Sequence, residues 1–152
     1  MKTIPLGKTG FIVSKSGFGA LPVQRIAFSE AASILRRAFE GGINFFDTAR
    51  FYTDSEEKLG KSFAGMRHKV LLASKSMGAT KEAIEKDFAV SVQQLRTDYI
   101  DLYQFHNPKT VPVPGDGTGR YEFLEDLKKS GAIRAIGLWT HSLELALYRS
   151  HF

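Results

Sequence analysis

The chain has 152 residues, no cysteine, a net charge of +5 and 43% hydrophobic residues. That suits one domain with a real core, residues 1–152, and excludes a disulfide framework or a thiolate metal site. The basic residues are scattered rather than interleaved with aromatics, which argues against a nucleic-acid partner, although a mild positive field suits a small phosphate-bearing cofactor. No apolar run approaches membrane-spanning length, and MKTIPLGKTG lacks the apolar core of a secretory signal. The expectation is a cytoplasmic protein with no membrane partner.

Thr3 to Ser14 reads as two extended pieces around the turn Gly7-Lys8-Thr9-Gly10, a small hairpin. Ser16 to Leu21 is a candidate strand that Pro22 ends. Ser29 is a candidate cap for a helix whose Ala31, Ile34, Leu35, Ala38 and Phe39 share helical spacing, with Gly41 as its stop. Ile43 to Thr48 is a short apolar run, consistent with a buried strand. Asp54 and Glu57 are spaced as a capping box for a helix that carries Leu59 and Phe63 on one face. Val70 to Lys75 is the next strand. Thr80 caps a helix with Ile84, Phe88, Val92 and Leu95 in period, and Tyr99 to His106 is a strand closed by Asn107-Pro108. Lys109 to Gly119 is a Pro/Gly-rich loop, Tyr121, Leu124 and Leu127 mark a helix stopped by Gly131, Ile133 to Trp139 is a strand, and Ser142 starts a last helix that runs toward Phe152.

Strict alternation of apolar strands and helices implies parallel strands with right-handed crossovers. Two α/β architectures fit, a doubly wound open sheet and a (β/α)8 barrel. Gly17-Phe18-Gly19 lacks a third glycine, which would fall at Pro22, so the dinucleotide-binding fingerprint of the open sheet is missing. Gly115 to Gly119 lacks the lysine–hydroxyl ending of a phosphate loop and reads as a flexible connection. His68, His141 and His151 have no metal-ligand spacing with any acidic residue.

Function in parallel α/β proteins collects at the carboxyl ends of the strands. The polar residues at the ends of apolar runs are Asp47, Lys75 and His106. If they point inward, so do Phe45, Ala73 and Gln104. Tyr52 follows in the loop over the same face. Together they make chemical sense. A lysine beside a tyrosine favours the phenolate and lowers its pKa, an aspartate holds the lysine charged, and a histidine donates to a carbonyl oxygen. The set would polarise a carbonyl and protonate its oxygen, and it needs a separate hydride donor.

The stretch GGINFFDTARFYTDSEEKLG (residues 41–60) resembles the aldo-keto reductase signature, VLLASK the strand bearing the family lysine, and DYIDLYQFHNP the strand bearing the family histidine. PLGKTGFIVSKSGFGAL resembles the family's hairpin and first strand. The resemblance implies a (β/α)8 barrel and hydride transfer to an aldehyde or ketone from a nicotinamide cofactor, usually NADPH. It implies Tyr52 as general acid, Lys75 as the group that depresses its pKa, Asp47 paired with Lys75, and His106 orienting the substrate carbonyl. It also implies Asp47 and Thr140 as cofactor-binding residues, no metal, and a small-molecule carbonyl substrate as partner.

Two features depart from the family. A complete barrel takes roughly 250 residues, so a truncated barrel of about five strands is expected. Its first and fifth strands would expose unpaired edges, and a homodimer, or a missing second half, would cover them. Trp139 stands where relatives commonly have a small hydroxyl residue. The alternative expectation is accordingly a catalytically impaired barrel fragment that acts as a binding or assembly module.

Overall fold

The structure, a computed structural model, describes residues 1–149. The end of the expected last helix and His151 lie outside the described residues. Strands β1 (Thr3–Pro5) and β2 (Ile12–Ser14) pair antiparallel, with Ile4 opposite Val13. The turn between them holds Gly7 and Gly10 at φ of 53° and 78°, a region that glycine enters without a Cβ penalty.

Five further strands form one parallel sheet: β3 (Phe18–Gly19), β4 (Phe45–Asp47), β5 (Leu71–Ser76), β6 (Ile100–His106) and β7 (Ile133–Trp139), adjacent in chain order. A doubly wound sheet reverses its strand order at a switch point. No reversal occurs here, so the sheet has the winding of five consecutive strands of a (β/α)8 barrel. Helices α1 (Phe28–Glu40), α2 (Ser55–Ser62), α3 (Lys81–Leu95) and α4 (Arg120–Ser130) alternate with the strands and pack each on the next along one face. Helix α5 (Leu143–Arg149) follows β7.

Alternation along the strands divides the sheet into two faces. Phe46, Leu72 and Tyr103 point toward the helices and meet Leu35, Leu59, Ile84 and Leu124, all fully buried. Burying each such apolar side chain contributes about 1.5–3 kcal/mol. On the opposite, inner face, Phe11 and Val13 from the hairpin pack with Ala135, Phe45, Leu71 and Leu102. The hairpin thus covers the amino-terminal half of the inner face with apolar atoms. Polar residues are left to the carboxyl-terminal half.

The helix ends depart from expectation in two places. Helix α1 begins at Phe28 with Ala27 as its cap, and no side chain bonds there. Ser29 is already inside the first turn. The Asp54–Glu57 capping box does not form either: Asp54 precedes α2 without a side-chain cap bond. Its carboxylate pairs with Lys58 at 2.9 Å, while Glu57 pairs with Lys61. Both acids have a lysine four residues on, and a charged partner outcompetes a neutral amide. The strand expected over Ser16 to Leu21 shortens to Phe18–Gly19. Thr80 does cap α3, accepting from the Ala83 amide at 3.2 Å, and Gly131 ends α4 at φ 82°.

Candidate active site

Asp47, Lys75 and His106 lie at the carboxyl ends of adjacent strands on the inner face. The register sets Asp47 opposite Ala73, Lys75 opposite Gln104 and His106 opposite Trp139. Lys75 is fully buried. Its Nζ donates to Asp47 Oδ2 at 2.6 Å and to the Thr48 carbonyl at 2.7 Å. Gln104 Nε2 donates to the other Asp47 oxygen at 3.1 Å. The Asp47 side chain keeps 30% of its surface exposed, so the pair faces the open end of the sheet.

Tyr52 comes over this pair from the β4–α2 loop. Its ring stands edge-to-face with His106, centroids 5.8 Å apart at 88°, and the Lys75 ammonium lies 5.5 Å from the ring centre. His106 is buried and makes a second edge-to-face contact with Trp139 at 4.9 Å. Its Nδ1 is buried without a hydrogen-bond partner. All four residues of the expected acid site therefore converge.

The electrostatics differ from the sequence expectation at Tyr52. Burial, and after it the negative charge of Asp47, push the phenol above its ordinary value. Lys75 was expected to lower it. The lysine instead spends its hydrogen bonds on Asp47 and Thr48 and meets the tyrosine at the ring. Burial lowers the Lys75 pKa, and Asp47 opposes that by charge and hydrogen bond. Burial, and then the Lys75 charge, lower the pKa of His106 and favour the neutral imidazole, a hydrogen-bond donor without charge.

The Tyr52 loop is anchored by residues without a role in the sequence reading. The Thr48 hydroxyl donates to Ser55 Oγ, which donates to the Ala20 carbonyl, both at 2.8 Å. The Arg50 amide donates to the Lys75 carbonyl at 2.9 Å. Asn107, at φ 49°, ends β6 by donating its amide to the Trp139 carbonyl at 2.6 Å. Gln104 was legible as inward-facing from strand parity, but its bond to Asp47 crosses an intervening strand and needs the register. Thr140 stands at the end of β7. Its hydroxyl lies 3.5 Å from Asn107 Oδ1 and accepts from the Ser142 amide at 3.0 Å. In the 115–119 loop the Asp116 carboxylate accepts from the Thr118 amide and hydroxyl, at 2.8 and 2.6 Å, so the loop closes on itself.

A cleft of about 490 Å³ opens beside the site, walled by Leu21, Phe51, Tyr52, Met77, His106 and Trp139. Its walls mix apolar and aromatic side chains with the polar groups of Gln24, Arg25, Asn107 and His141. Among the described residues no helix is long and apolar enough to cross a membrane.

Comparison with known proteins gives a consistent result. The aldo/keto reductase family model matches residues 15–146. L-galactose dehydrogenase of Arabidopsis thaliana is 32% identical over 158 residues, covering 94% of this chain and 50% of that protein. Aldo-keto reductase AKR11C1 from Bacillus halodurans (holo form) superposes with a TM-score of 0.83 at 31% identity, covering 97% of this chain and 53% of that one. An aldo-keto reductase from Klebsiella pneumoniae in complex with NADPH does so with a TM-score of 0.82 at 30% identity, with the same shares covered. The chain spans about half the length of the curated relatives it matches. With a family model matched over residues 15–146 and a sheet wound as the family's barrel is, the chain belongs to the aldo/keto reductase family.

Proposed function

We propose that this chain carries the acid site of a carbonyl reductase that takes hydride from a nicotinamide cofactor. The observation that carries the reading is the ion pair of the buried Lys75 with the half-buried Asp47, with Tyr52 and His106 over it at the mouth of the cleft. In this reading the neutral His106 donates to the oxygen of an aldehyde or ketone and orients it. Tyr52, held protonated by its raised pKa, gives its proton to the same oxygen as negative charge develops there. Lys75 steadies the phenolate left behind, and Asp47 keeps Lys75 charged against the cost of its burial.

NADPH supplies the hydride when bound. The flat aromatic walls contributed by Tyr52 and Trp139 suit its planar nicotinamide end, and Asp47 and Thr140 are the residues that would hold it. The NADPH-bound relative from Klebsiella pneumoniae supports the same cofactor class.

A second reading, a binding or assembly module with impaired catalysis, is favoured by one observation. The Trp139 ring stands edge-to-face with His106 and walls the same cleft, where relatives commonly have a small hydroxyl residue. NADPH fluorescence titration with and without a reactive aromatic aldehyde separates the two. The reductase reading expects saturable binding and aldehyde-dependent NADPH oxidation, abolished in Tyr52→Phe with cofactor binding kept. Saturable binding without oxidation supports the module, and full activity in Tyr52→Phe removes the proposed acid.

A further inference from the structure

A buried acidic group lies on the helix side of the sheet, directly behind the site. Glu56 of α2 is 1% exposed. One of its oxygens accepts from the Ser74 hydroxyl, and the other pairs with the Arg50 guanidinium. Ser74 immediately precedes Lys75 on β5. Arg50 lies two residues before Tyr52, its amide donates to the Lys75 carbonyl at 2.9 Å, and its Nη2 donates to the Thr53 carbonyl at 2.9 Å. The Arg50 side chain therefore grips the loop at Thr53, just past Tyr52, while Glu56 holds Arg50 against the strand that bears Lys75. Burial, opposed by the hydrogen bond from Ser74 and the charge of Arg50, raises the Glu56 pKa. A carboxylate in so dry a place is costly unless its contacts are kept.

We propose that Arg50 and Glu56 are positioning residues, a clamp through the sheet that fixes the Tyr52 ring against Lys75 and His106. Neither residue lines the cleft, so both are taken to act through the tyrosine loop rather than on substrate. The proposal deepens the reading of Tyr52 as the acid and rests on it for its functional meaning. The geometric claim, that the clamp sets the Tyr52–His106 contact, is separable from turnover.

The test reads that contact directly. His106 lies against the edge or face of Tyr52 and Trp139, so its imidazole protons carry ring-current shifts in the NMR spectrum of the full chain, and His106→Gln assigns them. Tyr52→Leu defines the position without the tyrosine ring. Glu56→Gln and Arg50→Met are expected to move the His106 resonances most of the way toward the Tyr52→Leu position. Leu124→Ala, which opens a cavity under α4 away from the loop, is expected to lower the melting temperature and leave those resonances in place. Arg50→Met alone strands the buried Glu56 carboxylate, so the double variant Arg50→Met/Glu56→Gln, which removes both charges, supplies the folded protein should a single variant not fold. His106 resonances that stay at the unsubstituted position in the folded variants would overturn the clamp, whether or not NADPH is oxidised. Resonances that shift while an aldehyde assay finds no role for Tyr52 would uphold the clamp and remove only the acid assignment.

Discussion

The Lys75 ammonium lies 5.5 Å from the centre of the Tyr52 ring while its hydrogen bonds go to Asp47 and Thr48. The lysine is thus held to the strand ends, and the tyrosine is laid over it. With the phenol held above its ordinary pKa, Tyr52 stays protonated at neutral pH. Under the proposed function, the nearby cation would stabilise the charged state reached during the reaction, which is where catalysis needs it.

The Lys75–Asp47 pair should separate stability from activity. Lys75→Met strands the Asp47 carboxylate with Gln104 alone, and the expected cost is about 1–3 kcal/mol. Adding Asp47→Asn removes the stranded charge, so the double variant should recover most of that loss. Carbonyl reduction should fall by roughly 10²–10⁴-fold in Lys75→Met, in Asp47→Asn and in the double variant, the range for losing acid–base function. Denaturant melts and aldehyde-dependent NADPH oxidation check the two halves. A double variant less stable than either single variant would contradict the account of the pair.

Packing between α2 and α3 depends on one missing side chain. A Cβ on Gly60 would collide with the Gln94 carbonyl oxygen and come within 2.8 Å of Leu95 Cα. These are backbone atoms of the neighbouring helix and cannot rotate away. Gly60→Ala should therefore cost about 1–3 kcal/mol despite the better helix propensity of alanine. A midpoint shift toward lower urea concentration measures it, and a stabilised variant would show that the helices separate without penalty.

Lys58 should be worth more than an ordinary surface lysine. It is 6% exposed, and its Nζ donates to the carbonyls of Val23 and Ile26 at 2.8 and 2.7 Å. Those carbonyls belong to the segment after β3 that borders the cleft through Leu21 and Gln24. Lys58→Met keeps the stem and strands the two acceptors, so the expected loss is about 1–3 kcal/mol. Amide exchange near Val23 and Ile26 should rise more than exchange in β6, and uniform loosening would refute the local role.

Much of this site was legible because it breaks local rules. A polar residue at the end of an apolar strand is conspicuous, so Asp47, Lys75 and His106 stood out, and strand parity placed Gln104 on the same face. What the sequence hid depends on partners far along the chain. Glu56 reads as one more acid on a surface helix until Ser74, eighteen residues later on the next strand, is seen to donate to it. The Asp54–Glu57 spacing was visible too, but the lysines at Lys58 and Lys61 compete for the same carboxylates. The direction of the Tyr52 shift was hidden for a similar reason, since it depends on which end of the tyrosine the lysine meets.

His106 should give the molecule a measurable pH response. Its folded pKa is lowered, so around the ordinary imidazole value of about 6.5 the unfolded chain binds more protons than the native one. Stability is therefore full above that value and falls as pH drops from it toward the lower native pKa. His106→Gln should flatten this slope in denaturant melts. Trp139, the one tryptophan of the chain, stands 4.9 Å from the imidazole, and a protonated histidine quenches a neighbouring indole. The emission should lose intensity on acidification with a component whose midpoint lies below 6.5. His141 also faces the indole, at 4.3 Å, so the assignment rests on the component lost in His106→Gln and kept in His141→Gln. A component with its midpoint above the ordinary imidazole value would mean that Asp47, which favours the charged imidazole, outweighs both burial and Lys75.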